Sequence, residues 1–271
     1  MSHTPSHRDR LFRGSLVTFS LLYLALLVAL LLGNVSYTSP SHLWEALKTR
    51  EILASIRLSL LSSTLSALLS MLVALPLGYY LARTRTKWKI LISTIVDIPI
   101  LLPPLVIGIS LLIFFQTSAG KFLESGFQSL FGRGFTYDIP GVILAQFTVA
   151  AAFTIRTMEV SFSRVDPRIE HMASSLGCSW SRTFFSVVLP QVKGGMLTAF
   201  TLGWARALGE FGPLLVFAGA TRMKTEVLPT TIFLELSVGN IEAAVAVSFI
   251  MIFVAVTSLL LLRHFNREPL P

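Results

Sequence analysis

The chain has 271 residues, 53% of them hydrophobic and only 13% charged, with a formal net charge of +8. Soluble domains carry about 25% charged residues, so half that fraction makes lipid the principal solvent and argues against an ordinary soluble fold. Cys178 is the only cysteine, which excludes an intrachain disulfide and a cysteine-built metal site.

Charge-free runs set the expected elements. Residues 15–33, 58–82 and 243–262 carry no charged side chain, and about 20 apolar residues cross the hydrocarbon core. Residues 90–120 carry only Asp97. Residues 139–155 form a shorter run that reaches toward Phe162 if Arg156 and Glu159 sit at the interface, and residues 194–221 are apolar apart from Arg206 and Glu210. The reading is an all-α integral membrane protein with six transmembrane helices. The first run, preceded by Arg8, Arg10 and Arg13, also admits a signal-peptide reading, but signal h-regions span about 7–15 residues and end at a small-residue cleavage site. Residues 1–14 are then an N-terminal cytoplasmic tail, 15–53 the first helix and an external loop, 54–262 the main transmembrane domain and 263–271 a cytoplasmic tail.

With the N-terminus inside, the inner segments hold 13 Lys and Arg and the outer ones 7, while Arg156 and Arg206 lie within spans. That bias places both termini in the cytoplasm. It also accounts for the net charge without nucleic acid, because the cations sit in short loops facing an anionic leaflet.

The third span begins "VDIPILLPPLVIG". Pro99, Pro103 and Pro104 each remove a backbone donor, so the helix must bend or break; either a harmless kink or a break lining a cavity fits. The external loop 116–138 has room for a short surface helix. No internal repeat is visible, which weakens a secondary carrier built on inverted halves.

The stretch "DPRIEHMASSLGCSWSRTFFSVVLP" is polar and arginine-bearing between two very apolar flanks. Asp166 is a good N-cap and Pro167 suits the first helical position. Ile169, Met172, Ala173 and Leu176 share one face, and Gly177 stands where a helix ends. A second short helix puts Trp180, Phe184, Val187 and Val188 on one face, with Pro190 as its stop. Taken alone, the pair also fits a partnerless helix pair on the membrane surface.

Gly177, nine residues and then Val187, Val188, Leu189 and Pro190 resemble the cytoplasmic loop of ABC importer permeases, whose pattern is EAA, three residues, Gly, nine residues, Ile-x-Leu-Pro. The EAA positions hold His171, Met172 and Ala173, with Glu170 one residue early. "VDIPILLPPLVIG", "ARALGEFGPLLVFAG" and "EVLPTTIFLELSVGNIEAAVAVS" are similar to segments of the molybdate, tungstate and sulfate permeases, and the similarity covers about residues 55–262. Pro213 departs from the small residue more usual there.

The resemblance implies a coupling helix docked on an ATPase through Glu170, His171, Met172, Ala173, Leu176, Gly177, Val187, Leu189 and Pro190. It also implies two permease copies, two cytoplasmic ATPases, an extracytoplasmic oxyanion-binding protein and alternating access. A homodimer is favoured independently, since six helices are few for a gated pore. Molybdate or tungstate is the expected cargo and sulfate or thiosulfate the alternative, with selectivity mostly in the binding protein.

The chain has no GxxxxGK[ST] phosphate cradle, no HExxH and no GxSxG. No cofactor of its own is expected; ATP and Mg would be bound by the partner ATPase. Pathway or gate candidates are Asp97, Pro103, Pro104, Arg206, Glu210 and Gly212. Arg206 and Glu210, four apart, can pair with each other and either line the pathway or lock the fifth span. Asp97 can cap or hydrogen-bond within the broken third helix. The rivals from other classes are an ion-coupled carrier, which needs midplane charges that bind substrate, and a membrane enzyme, which needs a catalytic cluster.

Overall fold

The computed structural model describes residues 7–37 and 39–265, which are helical without a strand. Residues 1–6 and 266–271, parts of the two expected tails, lie outside the described residues. In order the helices are α1 (His7–Tyr37), α2 (Pro40–Lys48), α3 (Arg50–Arg83), α4 (Trp88–Leu101), α5 (Pro104–Gln116), α6 (Ser118–Phe131) and α7 (Ile139–Ser163), then α8 (Pro167–Ser175), α9 (Trp180–Thr183), α10 (Leu189–Gln191), α11 (Lys193–Leu208), α12 (Leu228–Ser237) and α13 (Ile241–Phe265). A π turn, Phe184–Val188, joins α9 to α10, and a second, Leu214–Ala218, follows α11.

The core is a three-helix seam. α3 runs along α7, and α11 lies against both. The contact is close because α3 presents small side chains: Ser59, Ser62, Ser63, Ser66, Ala67, Ser70 and Ala74 are all buried. Lipid tails are as apolar as leucine, so membrane helices associate through such small residues and interhelical hydrogen bonds. Ser66 Oγ donates to the Ile143 carbonyl at 2.9 Å and to Gln146 Oε1 at 3.3 Å. At Gly78 a Cβ would stand 2.9 Å from the Met158 Cβ and 3.0 Å from the Glu159 nitrogen, so a side chain there would push the helices apart.

Among the described residues, four helices are long and apolar enough to cross a membrane: Phe12–Gly33, Arg50–Arg83, Ile139–Ser163 and Ile241–Ser258. A fifth exists if α4 and α5, bent by 112°, count as one broken span. The break falls at the prolines, with Leu102 extended and Pro103 as the N-cap of α5. Residues 194–221, expected as one span, are divided. α11 ends at Leu208, and a break at residues 209–211 separates it from a second helical stretch in which Gly212 and Pro213 lead into the π turn, because glycine is a poor helix former and proline is tolerated only in a helix's first turn.

The loop after α5 holds α6, an amphipathic helix whose Phe127 stacks on Phe131 and Phe135 at 4.5 and 4.3 Å. Two helices fall where only loops were expected. α2 packs on α13 and α3, and α12 packs on α13.

Candidate coupling loop and ion-pair sites

Asp166 caps α8 by accepting from the Arg168 N–H at 2.9 Å, with Pro167 in the first turn. Gly177 has φ +81°, the left-handed conformation that a glycine after a helix supplies. The face of α8 that meets the protein is made by Glu170 and Ala173. Met172 and Leu176, expected on the same face, point away and are 60% and 85% exposed. His171 is exposed beside them.

Glu170 is the anchor. Its side chain, 7% exposed, accepts from the Tyr79 hydroxyl at 2.6 Å and from Arg83 Nε at 2.7 Å. Arg83 also donates to the carbonyls of Phe162 and Val165, each at 3.1 Å. One guanidinium therefore ties the end of α3 to the end of α7 and to α8.

The second half of the loop corrects the expectation for Pro190. The helix does not stop there. The π turn lets the Leu189 N–H reach the Phe184 carbonyl, and Pro190 sits within α10, where its missing donor is tolerated. Val188 is buried, Phe184, Val187 and Leu189 are half-buried, and Trp180 is exposed. Phe184 packs edge-on against Tyr79 at 5.0 Å.

The pathway candidates fall into separate groups. Arg206 and Glu210 pair at 2.6 Å, with Glu210 buried and the Arg206 guanidinium 5.8 Å from the Phe153 ring centre. Pro104 meets Gly212: a Cβ at Gly212 would stand 2.9 Å from the Pro104 Cβ and 3.0 Å from the Leu105 nitrogen. Pro103 caps that same helix.

Asp97 does not serve as a local cap. It binds Arg156 through two contacts, Nε to Oδ1 at 2.6 Å and Nη2 to Oδ2 at 2.5 Å. Arg156 also holds Glu159 and the Ser93 carbonyl. The fork geometry of arginine and carboxylate favours this bidentate contact, which crosses from α7 to α4. Arg156 and Glu159 therefore belong to an interhelical cluster rather than standing alone at a span's end. Their spacing of three residues was the visible signal, while Asp97 as partner was not.

A further cluster escaped sequence reasoning. Arg222 bridges Glu51 at 2.5 Å and Glu235 at 2.8 Å, fastening the start of α3 to α12. Nearby Glu226 is 3% exposed and neither carboxylate oxygen has a hydrogen-bond partner. The Thr231 hydroxyl donates instead to the Val227 carbonyl at 3.1 Å.

Burial pushes the Glu226 carboxyl above its ordinary range, Arg222 opposes this, and Glu51 and Glu235 add to it. A carboxyl raised in the folded state favours folding fully below its unfolded pKa, and that contribution is lost as pH rises through the folded value. Glu226→Gln should therefore raise the unfolding midpoint in detergent at pH 8, equivalent to about 1–3 kcal/mol for one unsatisfied buried group. The gain should vanish below about pH 4, where both forms are neutral. A gain independent of pH would contradict the assignment.

The seam of α3, α7 and α11, the broken α4–α5 pair and the α8–α10 loop together make up a helical membrane protein with a polar loop between its spans. A chain of the bacterial alginate ABC transporter, in complex with its alginate-pentasaccharide-bound periplasmic protein, shares the fold with a TM-score of 0.75 at 18% identity, over 96% of this chain and 95% of that one. Residues 74–269 match the family described as "Binding-protein-dependent transport system inner membrane component", and the chain belongs to this family of ABC importer permeases.

Among curated relatives, a molybdate/tungstate transport system permease protein (WtpB) of Pyrococcus abyssi is 36% identical over 62% of this chain and 61% of its own length. A probable molybdenum ABC transporter permease protein of Haloferax volcanii is 32% identical over 85% of this chain and 82% of its own. The sulfate transport system permease protein CysT of Escherichia coli is 28% identical over 93% and 89%.

Proposed function

We propose that this permease imports molybdate or tungstate, as a homodimer with two cytoplasmic ATPases and an extracytoplasmic oxyanion-binding protein. The observation that carries the cargo is the 36% identity to the Pyrococcus molybdate/tungstate permease. Sulfate or thiosulfate is the second reading, supported by 28% identity to CysT over nearly the whole chain.

In this reading the polypeptide crosses a prokaryotic inner membrane six times, α11 with its π turn counting as one crossing. Both termini and the loop 166–190 are cytoplasmic, supported by the excess of Lys and Arg on that side. ATP and Mg bind to the partner, and this chain contributes movement rather than hydrolysis.

Closure of two ATPases would pull on α8 through Met172 and Leu176. Glu170 and Arg83 would pass that pull to α3 and α7, whose seam carries it across the membrane. The helix is interrupted at residues 209–211, next to the Arg206–Glu210 pair, a natural place for the wall to bend. The self-paired arginine leaves weak net charge to hold an anion, which suits a pathway whose selectivity resides in the binding protein.

Deleting the chain should abolish high-affinity accumulation of molybdate and tungstate in cells given trace metal, while sulfate uptake persists. Loss of sulfate uptake with both metals unaffected would exchange the cargo for the second reading.

A further inference from the structure

At the C-terminal end of α3, two cavities lie side by side. One, of about 510 Å³, is lined by Arg83, Arg85, His171 and Thr183 among others. Its neighbour, of about 500 Å³, is lined by Pro76, Tyr80 and Phe184. The two share Tyr79, Arg83 and Trp180 as lining residues. Cavities of this size suit small ligands.

Their chemistry differs in a directed way. In the first cavity Glu170 is neutralised by Arg83, which leaves Arg85 and His171 as donors not committed to another side chain among the described residues. Thr183 is 4% exposed, lines the same cavity, and its hydroxyl has no hydrogen-bond partner. A buried hydroxyl without a partner is a rarity that calls for an occupant. The second cavity is apolar and aromatic, and it follows α3 from Thr84 back to Pro76, about 12 Å along the span at 1.5 Å per residue. Exposed Trp180 and Tyr80 flank it, as aromatic side chains do at headgroup depth.

We infer that the paired cavities hold one anionic phospholipid, its phosphate against Arg85, His171 and Thr183 and an acyl chain along Pro76, Tyr80 and Phe184. A phosphodiester matches an arginine fork and a hydroxyl donor, and basic pockets between helices on the cytoplasmic side recognise anionic headgroups. A zwitterionic choline headgroup would bring its own cation toward Arg85 and fit less well. The site lies against α8, so the lipid would brace the loop from the membrane side while Met172 and Leu176 remain free on the other.

The test is native mass spectrometry of the full-length permease in detergent, titrated with phosphatidylglycerol or phosphatidylcholine. Phosphatidylglycerol should bind at least fivefold more tightly, and Arg85→Gln should remove about that factor, the effect of one basic residue near an anionic surface. Arg85→Lys should retain the preference, and Thr183→Val should weaken phosphatidylglycerol without affecting phosphatidylcholine. Equal binding of the two lipids, or an Arg85→Gln variant that still discriminates, would overturn the site. So would displacement of the lipid by millimolar inorganic phosphate or molybdate, which would identify a free-anion site instead. None of these readings depends on the cargo, so failed metal uptake with intact lipid preference would count against the transport proposal alone.

Discussion

Arg83→Leu should destabilise the permease by about 3–5 kcal/mol, the effect of leaving a buried carboxylate without its cation. Glu170 is enclosed by Tyr79 and Arg83, with Arg83 Nη2 2.5 Å from the carboxylate. Removing the guanidinium also leaves the Val165 carbonyl without its donor and takes one donor from the Phe162 carbonyl, which keeps the Val165 N–H, so the ends of three helices loosen together. Glu170→Leu alone should be comparably harmful, because it buries an unpaired arginine. The double variant should recover part of the loss, since replacing both partners of a buried pair by apolar groups is often tolerated. The orphaned Val165 carbonyl keeps that recovery incomplete. Thermal unfolding in detergent supplies the cycle; purely additive single effects would mean that Arg83 and Glu170 do not act as a unit.

The second large effect concerns the opposite face of the same helix. Met172→Asp with Leu176→Asp should weaken docking of the ATPase by several powers of ten. These two side chains lie four apart and are exposed in the monomer. A fully buried aliphatic side chain contributes roughly 1.5–3 kcal/mol at an interface, and each 1.4 kcal/mol is tenfold in affinity. Aspartate adds the penalty of desolvating a charge. Ser174→Ala with Ser175→Ala should change little, since neither hydroxyl is buried. Co-purification of the ATPase reads the outcome directly. If the double aspartate variant retains its ATPase, α8 is a surface helix and the coupling role falls.

These two predictions also show what was legible in the chain. Local backbone chemistry could be read: the cap at Asp166, the glycine at 177 and the break at Pro103 each follow from one or two residues. Pairing across the fold could not. Glu170 and Arg83 stand 87 positions apart, and Asp97 and Arg156 stand 59 apart. A single sequence shows charges in or near spans without showing which meet.

The apolar stripe of α8 was legible, but not how the fold divides it. Ile169, Met172, Ala173 and Leu176 were read as one apolar docking face, whereas the protein turns Ala173 inward beside charged Glu170 and leaves Met172 and Leu176 exposed. The serine ladder on α3 was visible at positions 59, 62, 63, 66 and 70 and is the readable sign of a close helix contact. The division of residues 194–221 was readable too, in Gly209 where α11 ends and in Pro213 in the first turn after the break, but apolar content outweighed it. α2 and α12 are short, so a criterion built on span length passed over both.

The most direct measurement is uptake of labelled tungstate into proteoliposomes that contain the permease with its ATPase, given the loaded binding protein and either ATP or an imposed ion gradient. ATP-dependent accumulation is expected, abolished by Met172→Asp with Leu176→Asp and unaffected by collapse of the gradient. Accumulation driven by the gradient without ATP would contradict the ABC importer mechanism and assign the chain to an ion-coupled carrier.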